Sequence, residues 1–104
     1  MKEGLIMNIN KTQNGNELTL SLEGRLDTVT SPELEDVIKT SLDGISKLVF
    51  DLAGLEYISS AGLRVLLSAQ KIMNNQGEMT VKNANETVME IFEVTGFSDI
   101  LTLG

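Results

Sequence analysis

The sequence of 104 residues contains no cysteine and no histidine. The absence of cysteine excludes disulfides and thiolate metal ligands. Without either residue, the chain also has no histidine general base to activate a serine, no cysteine nucleophile and no imidazole metal ligand. A metal site made only of carboxylates would need clustered Asp and Glu, and the sequence shows no such cluster. We therefore expect a protein that is not an enzyme and needs no metal or cofactor.

Basic and aromatic residues are also scarce. Eight Lys and Arg stand against fifteen Asp and Glu, which gives a formal net charge of −7. Such a surface repels nucleic acid and anionic membranes, because their binding depends on cations that neutralise phosphates. With one Tyr, three Phe and no Trp, few rings are available for stacking on single strands. We expect neither a nucleic-acid partner nor a membrane partner.

Long hydrophobic runs are missing as well. No apolar run approaches the ~20 residues that cross a bilayer, and the N-terminus lacks the layout of a signal peptide. A cytoplasmic protein is the default expectation. Apolar residues make up 41% of the chain, enough for a packed core. No repeat or linker interrupts the pattern, so residues 1–104 are predicted to form one domain. Residues 1–6 are either the native start or a frayed extension, because Met7 could itself be a start site.

Two runs of alternating apolar residues predict two strands near the N-terminus. Between them lies Asn14-Gly15, a pair that tolerates the positive φ of a tight turn. The two strands are therefore predicted to form an antiparallel hairpin. The alternating apolar positions are Leu5, Met7 and Ile9 in the first run and Leu18, Leu20 and Leu22 in the second.

The pattern changes to helical spacing after Gly24. Ser31 is predicted to be an N-cap, with Pro32 at the first helical position, where its missing N–H is not needed. Gly44 is predicted to stop this helix. The short apolar run 48–50 predicts a central strand that ends near Asp51.

The second half alternates in the same way. A second helix is predicted over 60–74, and Met79 and Val81 mark a fourth strand. A third helix is predicted to be capped by Asn85 and closed by Gly96. Leu101 and Leu103 are candidates for a last short strand. The order β-β-α-β-α-β-α predicts an α/β fold: an open, mixed, mostly parallel sheet of four to five strands, with an N-terminal hairpin and helices packed against it.

The start of the second helix carries the chemistry. Unpaired N–H groups and the positive end of the helix dipole favour a phosphate there. Ser59 fits the N-cap, which leaves the hydroxyl of Ser60 surplus to capping. Gly62 costs a helix about 1 kcal/mol relative to Ala, which indicates that something approaches the backbone closely. From the residues alone, a modified or anion-binding Ser60 and an ordinary helix-start serine are equally supported.

Three segments resemble one family. Tyr57-Ile-Ser-Ser-Ala-Gly-Leu-Arg-Val-Leu66 is similar to the phosphorylation motif of the STAS family, the bacterial anti-sigma factor antagonists. Gly24-Arg-Leu-Asp27 followed by Leu34 resembles a second family signature, and Phe92-Glu-Val-Thr-Gly-Phe97 resembles a third. The resemblance covers nearly the whole chain. Family members usually carry a further C-terminal helix, whereas this sequence stops at Gly104.

The resemblance implies roles for particular residues. Ser60 occupies the phosphoacceptor position and Ser59 the position before it. Asp27 matches an acidic residue that lies close to the acceptor in the family, although an ordinary turn aspartate would look the same. The predicted partner-binding residues are Asp27, Thr30, Ser31, Ser59, Ser60, Gly62, Leu63 and Arg64. Core packing is the alternative for Leu63, and a solvated helix position is the alternative for Arg64.

The function implied by the resemblance is a switch. The unphosphorylated protein would bind an anti-sigma factor that is also a serine kinase, and would thereby release a sigma factor. Phosphorylation of Ser60 would switch this binding off, and a phosphatase would reverse it. The alternative is a STAS module of another system, a lipid-transport subunit or a signalling scaffold, in which Ser60 is only a contact residue at the helix start.

Overall fold

The computed structural model describes residues 7–104. The predicted strand residue Leu5 and the predicted extension 1–6 lie outside this range. Four strands and three helices follow one another, and a 3₁₀ turn comes after the last helix. The strands are β1 (Met7–Asn14), β2 (Glu17–Leu26), β3 (Lys47–Ile58) and β4 (Glu78–Lys82); the helices are α1 (Ser31–Ser41), α2 (Ser60–Asn74) and α3 (Glu86–Thr95); the 3₁₀ turn is Phe97–Asp99.

The strands form one mixed sheet in the order β1-β2-β3-β4. β1 and β2 are antiparallel, whereas β2 with β3 and β3 with β4 are parallel. Gly15 takes the positive φ of 61° in the hairpin turn. The predicted fold class and hairpin are confirmed. The candidate last strand is reduced to an isolated parallel bridge between Leu103 and Val81.

The core lies between the sheet and its helices. Because side chains alternate along a strand, every second residue faces the helices from Leu18 to Leu22, from Leu48 to Leu52 and from Met79 to Val81. The apolar stripes of α1, α2 and α3 complete one hydrophobic cluster, to which they contribute Leu34, Leu66 and Phe92 respectively. Two rows of buried side chains cross the three parallel strands: Leu18, Leu48 and Met79 in one, and Leu20, Phe50 and Val81 in the next.

Helix α1 differs from the prediction at both ends. Thr30 rather than Ser31 is the N-cap residue, and it forms no side-chain cap hydrogen bond. The hydroxyl of Ser31 donates instead to the backbone oxygen of Asp27 at 2.6 Å. The helix also ends at Ser41, before Gly44, which takes its positive φ of 79° in the turn that follows.

Strand β3 is longer than predicted. Instead of ending near Asp51, it stays paired with β2 as far as Ile58, which pairs with Leu26. Two register shifts in this half of the pairing bend the strands. At Gly54 a β-carbon would lie 2.7 Å from the Cγ atom of Glu23, so a larger residue there would have to displace the exposed Glu23 side chain. Because β3 extends to Ile58, α2 begins next to the end of β2.

Gly77 holds the starts of β3 and β4 together. A β-carbon at this position would overlap the backbone oxygen of Ser46, which also accepts a hydrogen bond from the amide of Glu78 at 3.0 Å.

We expect Gly77→Ala to lower the free energy of unfolding by about 2–4 kcal/mol, because the strands must separate. Urea denaturation measures the loss. The control is Gly15→Asn, which has open space and a tolerated positive φ; equal losses in the two variants would contradict this account.

Candidate functional site

The start of α2 is tied to the end of β2. Ser59 is the N-cap in extended backbone conformation, and its hydroxyl oxygen accepts a hydrogen bond from the amide of Gly62 at 3.4 Å. This confirms the predicted cap. The amide of Ser59 donates to the backbone oxygen of Leu26 at 2.9 Å. Strand pairing and the cap together determine where the helix begins.

Ser60 is the first residue of α2, and its side chain is exposed. Among residues 7–104 its hydroxyl takes part in no hydrogen bond, since the cap function falls to Ser59. The hydroxyl is therefore accessible and uncommitted, as a phosphoacceptor must be.

The loop between β2 and α1 lies next to this helix start and is held by its own side chains. The Oδ1 atom of Asp27 accepts hydrogen bonds from the amides of Val29 at 3.0 Å and of Thr30 at 3.2 Å. The hydroxyl of Thr30 accepts from the amide of Asp27 at 2.9 Å and donates to the backbone oxygen of Arg25 at 2.7 Å. Asp27 therefore shapes the loop that flanks Ser60.

The carboxylate of Asp27 is stabilised in its charged form. Desolvation by partial burial acts to raise its pKa, but the hydrogen bonds from the amides of Thr30 and Val29 and from the hydroxyl of Thr30 outweigh it. The positive charge of Arg25, whose Nε lies 3.7 Å from Oδ2, acts in the same direction. The pKa of Asp27 therefore lies below its ordinary value. The guanidinium of Arg25 also lies 4.5 Å from the centre of the Tyr57 ring.

The predicted partner-binding residues divide into surface and supporting positions. Ser60 and Arg64 are exposed, and Asp27 and Ser59 are partly exposed. By contrast, four of the predicted contacts are buried, with exposed fractions of 4% for Thr30, 5% for Ser31 and 5% for Leu63, and with Gly62 among the buried helix residues. Their burial gives these four a supporting role beneath the surface, and direct contact with a partner stays a prediction.

Gly62 has a structural reason that the sequence could not reveal. A β-carbon there would lie 2.7 Å from Cγ of Leu26 and 2.8 Å from Cγ1 of Ile58. The close approach inferred from the sequence is real, but the approaching groups belong to the protein's own core. Packing of α2 on the ends of β2 and β3 therefore accounts for the glycine, and contact of Gly62 with a partner stays a prediction.

The sequence places the loop 27–31 on the expected contact surface but singles out neither Val29 nor the groove beside Ser60. Val29 lies in the loop held by Asp27 and is 65% exposed. The only sequence signal was its place between two threonines in a predicted loop. The groove runs between α1 and α2, and its walls include Thr28, Pro32, Glu35, Ala61, Arg64 and Ser68.

Two further features are absent from residues 7–104. No group of three or more Asp or Glu side chains is placed to hold a metal ion within this range. Over the same residues, no helix combines the length and the apolar character needed to cross a lipid bilayer.

Comparison with known proteins identifies the family. Residues 8–104 match the family described as the STAS domain, so the chain belongs to the STAS domain family. A protein of Bordetella bronchiseptica that bears the name anti-sigma factor antagonist BtrV is 39% identical over 85 residues, which cover 80% of this chain and 73% of that protein.

Solved structures agree with the fold. An anti-sigma factor antagonist from Mycobacterium paratuberculosis has a TM-score of 0.86 at 23% identity, over 95% of this chain and 86% of that one. The Bacillus cell fate determinant SpoIIAA in its phosphorylated form has a TM-score of 0.74 at 15% identity, over 93% of this chain and 91% of that one. At these identities the structures are evidence for a shared fold.

The two neighbouring serines should differ in their effect on stability. We expect Ser59→Ala to lower the free energy of unfolding by about 0.5–1 kcal/mol, because the cap hydrogen bond is lost. Ser60→Ala should change it by less than about 0.5 kcal/mol, since its hydroxyl has no partner in the fold. Urea denaturation of both variants tests this, and an equal or larger loss at Ser60 would assign its hydroxyl a structural role.

Asp27 should give a pH-dependent contribution to stability. A carboxylate with a lowered folded-state pKa stabilises fully above its unfolded value of about 3.9, and this stabilisation is lost as pH falls through the folded value. Asp27→Asn keeps an acceptor oxygen but not the charge, so we expect it to be less stable than the wild type at pH 6 and to converge with it as the pH falls through the lowered folded-state pKa. Asp43→Asn, at an exposed turn position, is the control. A pH-independent difference would exclude a role for the charge.

Proposed function

We propose that this STAS-domain protein is an anti-sigma factor antagonist that is switched by phosphorylation of Ser60. Its unphosphorylated form binds an anti-sigma factor with serine kinase activity in the cytoplasm and so frees a sigma factor. Phosphate on Ser60 ends this binding, and a phosphatase restores it. The observation that carries the proposal is the exposed, uncommitted hydroxyl of Ser60 at the first position of α2.

The other serines near this end of the sheet are poorer acceptors. Ser31 is 5% exposed and its hydroxyl donates to the backbone of Asp27. Ser59 is partly exposed, but its oxygen caps the helix. Modification of either would disrupt a hydrogen bond of the fold, whereas modification of Ser60 would disrupt none.

The physical effect of the phosphate differs between the free protein and the complex. A phosphoserine adds about −1.5 to −2 charges at neutral pH. In the free protein, the unpaired amides and dipole of a helix start compensate this charge by about 0.3–1 kcal/mol, so the fold survives. Inside an interface, the same charge loses its water, and a single neighbouring cation does not offset the cost of burying a dianion. Phosphorylation therefore blocks a surface and leaves the domain folded.

The proposed partner surface surrounds Ser60 and includes the loop with Val29. An exposed apolar side chain on a loop held by internal hydrogen bonds is suited to fill a pocket in a partner. The exposed Arg64, which lines the groove between α1 and α2 together with Thr28, adds a positive charge. The buried residues Thr30 and Gly62 support this surface from below.

The names of relatives support the same role. BtrV and the Mycobacterium paratuberculosis protein are both named anti-sigma factor antagonists, and SpoIIAA is known in a phosphorylated form. The chain contains no histidine or cysteine, so neither an imidazole nor a thiol can assist Ser60 in catalysis. A binding role is therefore preferred to a catalytic one.

Phosphotransfer to Ser60 can be tested directly. The wild type, Ser60→Ala and the control Ser68→Ala, which alters another exposed serine of α2, are incubated with candidate anti-sigma kinases and ATP, and phosphate is mapped by mass spectrometry. We expect one phosphate on Ser60 in the wild type and in Ser68→Ala, and none in Ser60→Ala. Ser60→Ala should still bind the kinase, and Ser60→Asp should bind at least about tenfold more weakly.

The control for this experiment is to verify that Ser60→Asp is folded. Circular dichroism and the melting temperature of Ser60→Asp should match those of the wild type, because the added charge is on the surface. Labelling of Ser60→Ala by the kinase would place the acceptor elsewhere. Unchanged binding by Ser60→Asp together with absence of labelling would favour a STAS module of another system.

A further inference from the structure

Arg64 lies one helical turn after Ser60, and both side chains are exposed. Residues four apart on a helix are neighbours, with β-carbons about 5–6 Å apart. Helical side chains also lean toward the helix N-terminus and cover the preceding turn. A long side chain at position 64 can therefore reach the turn of α2 that holds Ser60.

The guanidinium of Arg64 has no ion-pair partner among residues 7–104. Within this range the ion pairs join Arg25 to Asp27, Lys39 to Glu35 and Lys47 to Glu78. Glu35, which faces Arg64 across the groove between α1 and α2, lies 3.6 Å from Lys39 instead. The positive charge nearest to Ser60 along α2 is thus uncommitted.

Other cations are less suitable for a group attached to Ser60. Arg25 is engaged by Asp27 at 3.7 Å and by the ring of Tyr57 at 4.5 Å. The next cation along α2, Lys71, follows Arg64 by seven residues, which is about 10 Å along the helix axis. Arg64 combines the correct spacing with a free charge.

We propose that Arg64 is the counter-ion of phosphorylated Ser60. Its planar guanidinium would donate two hydrogen bonds to phosphate oxygens, the geometry in which arginine binds phosphate most strongly. This inference rests on the proposed phosphorylation of Ser60. Phosphorylation would then act twice on the partner surface, because it adds a dianion at Ser60 and withdraws the charge of Arg64 from any acidic group of the partner.

A cation beside the phosphate favours the dianion, so Arg64 lowers the second pKa of the phosphoserine from its ordinary value of about 6. Glu35 across the groove and Asp27 in the adjoining loop oppose this effect with negative charge, and Arg25 adds to it. These three groups are unchanged when Arg64 alone is replaced, so the comparison isolates the contribution of Arg64.

The experiment places phosphoserine at position 60 during translation, so that no kinase is required, and follows the phosphate by ³¹P NMR from pH 4 to 8. We expect the second pKa to be higher by about 0.15–0.4 in Arg64→Gln than in the wild type. Arg64→Lys should lie between them. Lys71→Gln, which removes an exposed cation of the same helix, should shift the pKa by less than about 0.1. At 1 M salt the difference at Arg64 should shrink.

Three results would overturn the proposal: the same pKa in the wild type and Arg64→Gln, an equal shift in Lys71→Gln, or a shift in Arg25→Gln without one in Arg64→Gln. Failure of the proposed function appears in a different measurement. It would show as absence of phosphate on Ser60 in the kinase assay, whatever the titration of the translated phosphoserine shows.

Discussion

The pairing of Leu26 with Ile58 is the contact on which the site depends. It joins the ends of β2 and β3, and the residue that follows, Ser59, adds a hydrogen bond from its amide to Leu26. Helix α2 then packs so closely on the same two side chains that only glycine fits at position 62. Core packing, strand pairing and capping thus converge on one helix start. Ser60 is exposed because the burial of Leu26 and Ile58 beneath Gly62 fixes the orientation of this helix start.

Much of this arrangement could be predicted from the sequence because it depends on local chemistry. The hairpin followed from alternating apolar residues and Gly15, and the starts of α2 and α3 followed from Ser59 and Asn85, whose side chains do accept the expected cap hydrogen bonds. Each of these cap hydrogen bonds joins residues only three positions apart, so it can be predicted from the local sequence. The STAS family membership followed from the same segments together with their order.

The features that could not be predicted depend on contacts between distant parts of the chain. β3 continues beyond Asp51 because β2 pairs with it through two register shifts, and the residues 53–57 alone give no continuous apolar pattern. The N-cap of α1 is Thr30 and not the predicted Ser31. The hydroxyl of Ser31 donates a hydrogen bond to the backbone oxygen of Asp27 and so does not cap the helix. Likewise, the sequence indicates a close approach at Gly62 without indicating that Leu26 and Ile58 are the neighbours.

The loop from Asp27 to Thr30 has a consequence for association kinetics and thermodynamics. The amides of Asp27, Val29 and Thr30 are hydrogen-bonded to side chains of the loop itself, so the conformation that presents Val29 exists in the free protein. A segment that is already ordered has little conformational entropy left to lose on docking, which is a cost that flexible recognition loops must offset with additional contacts. The proposed partner surface around this loop therefore needs fewer contacts for a given affinity.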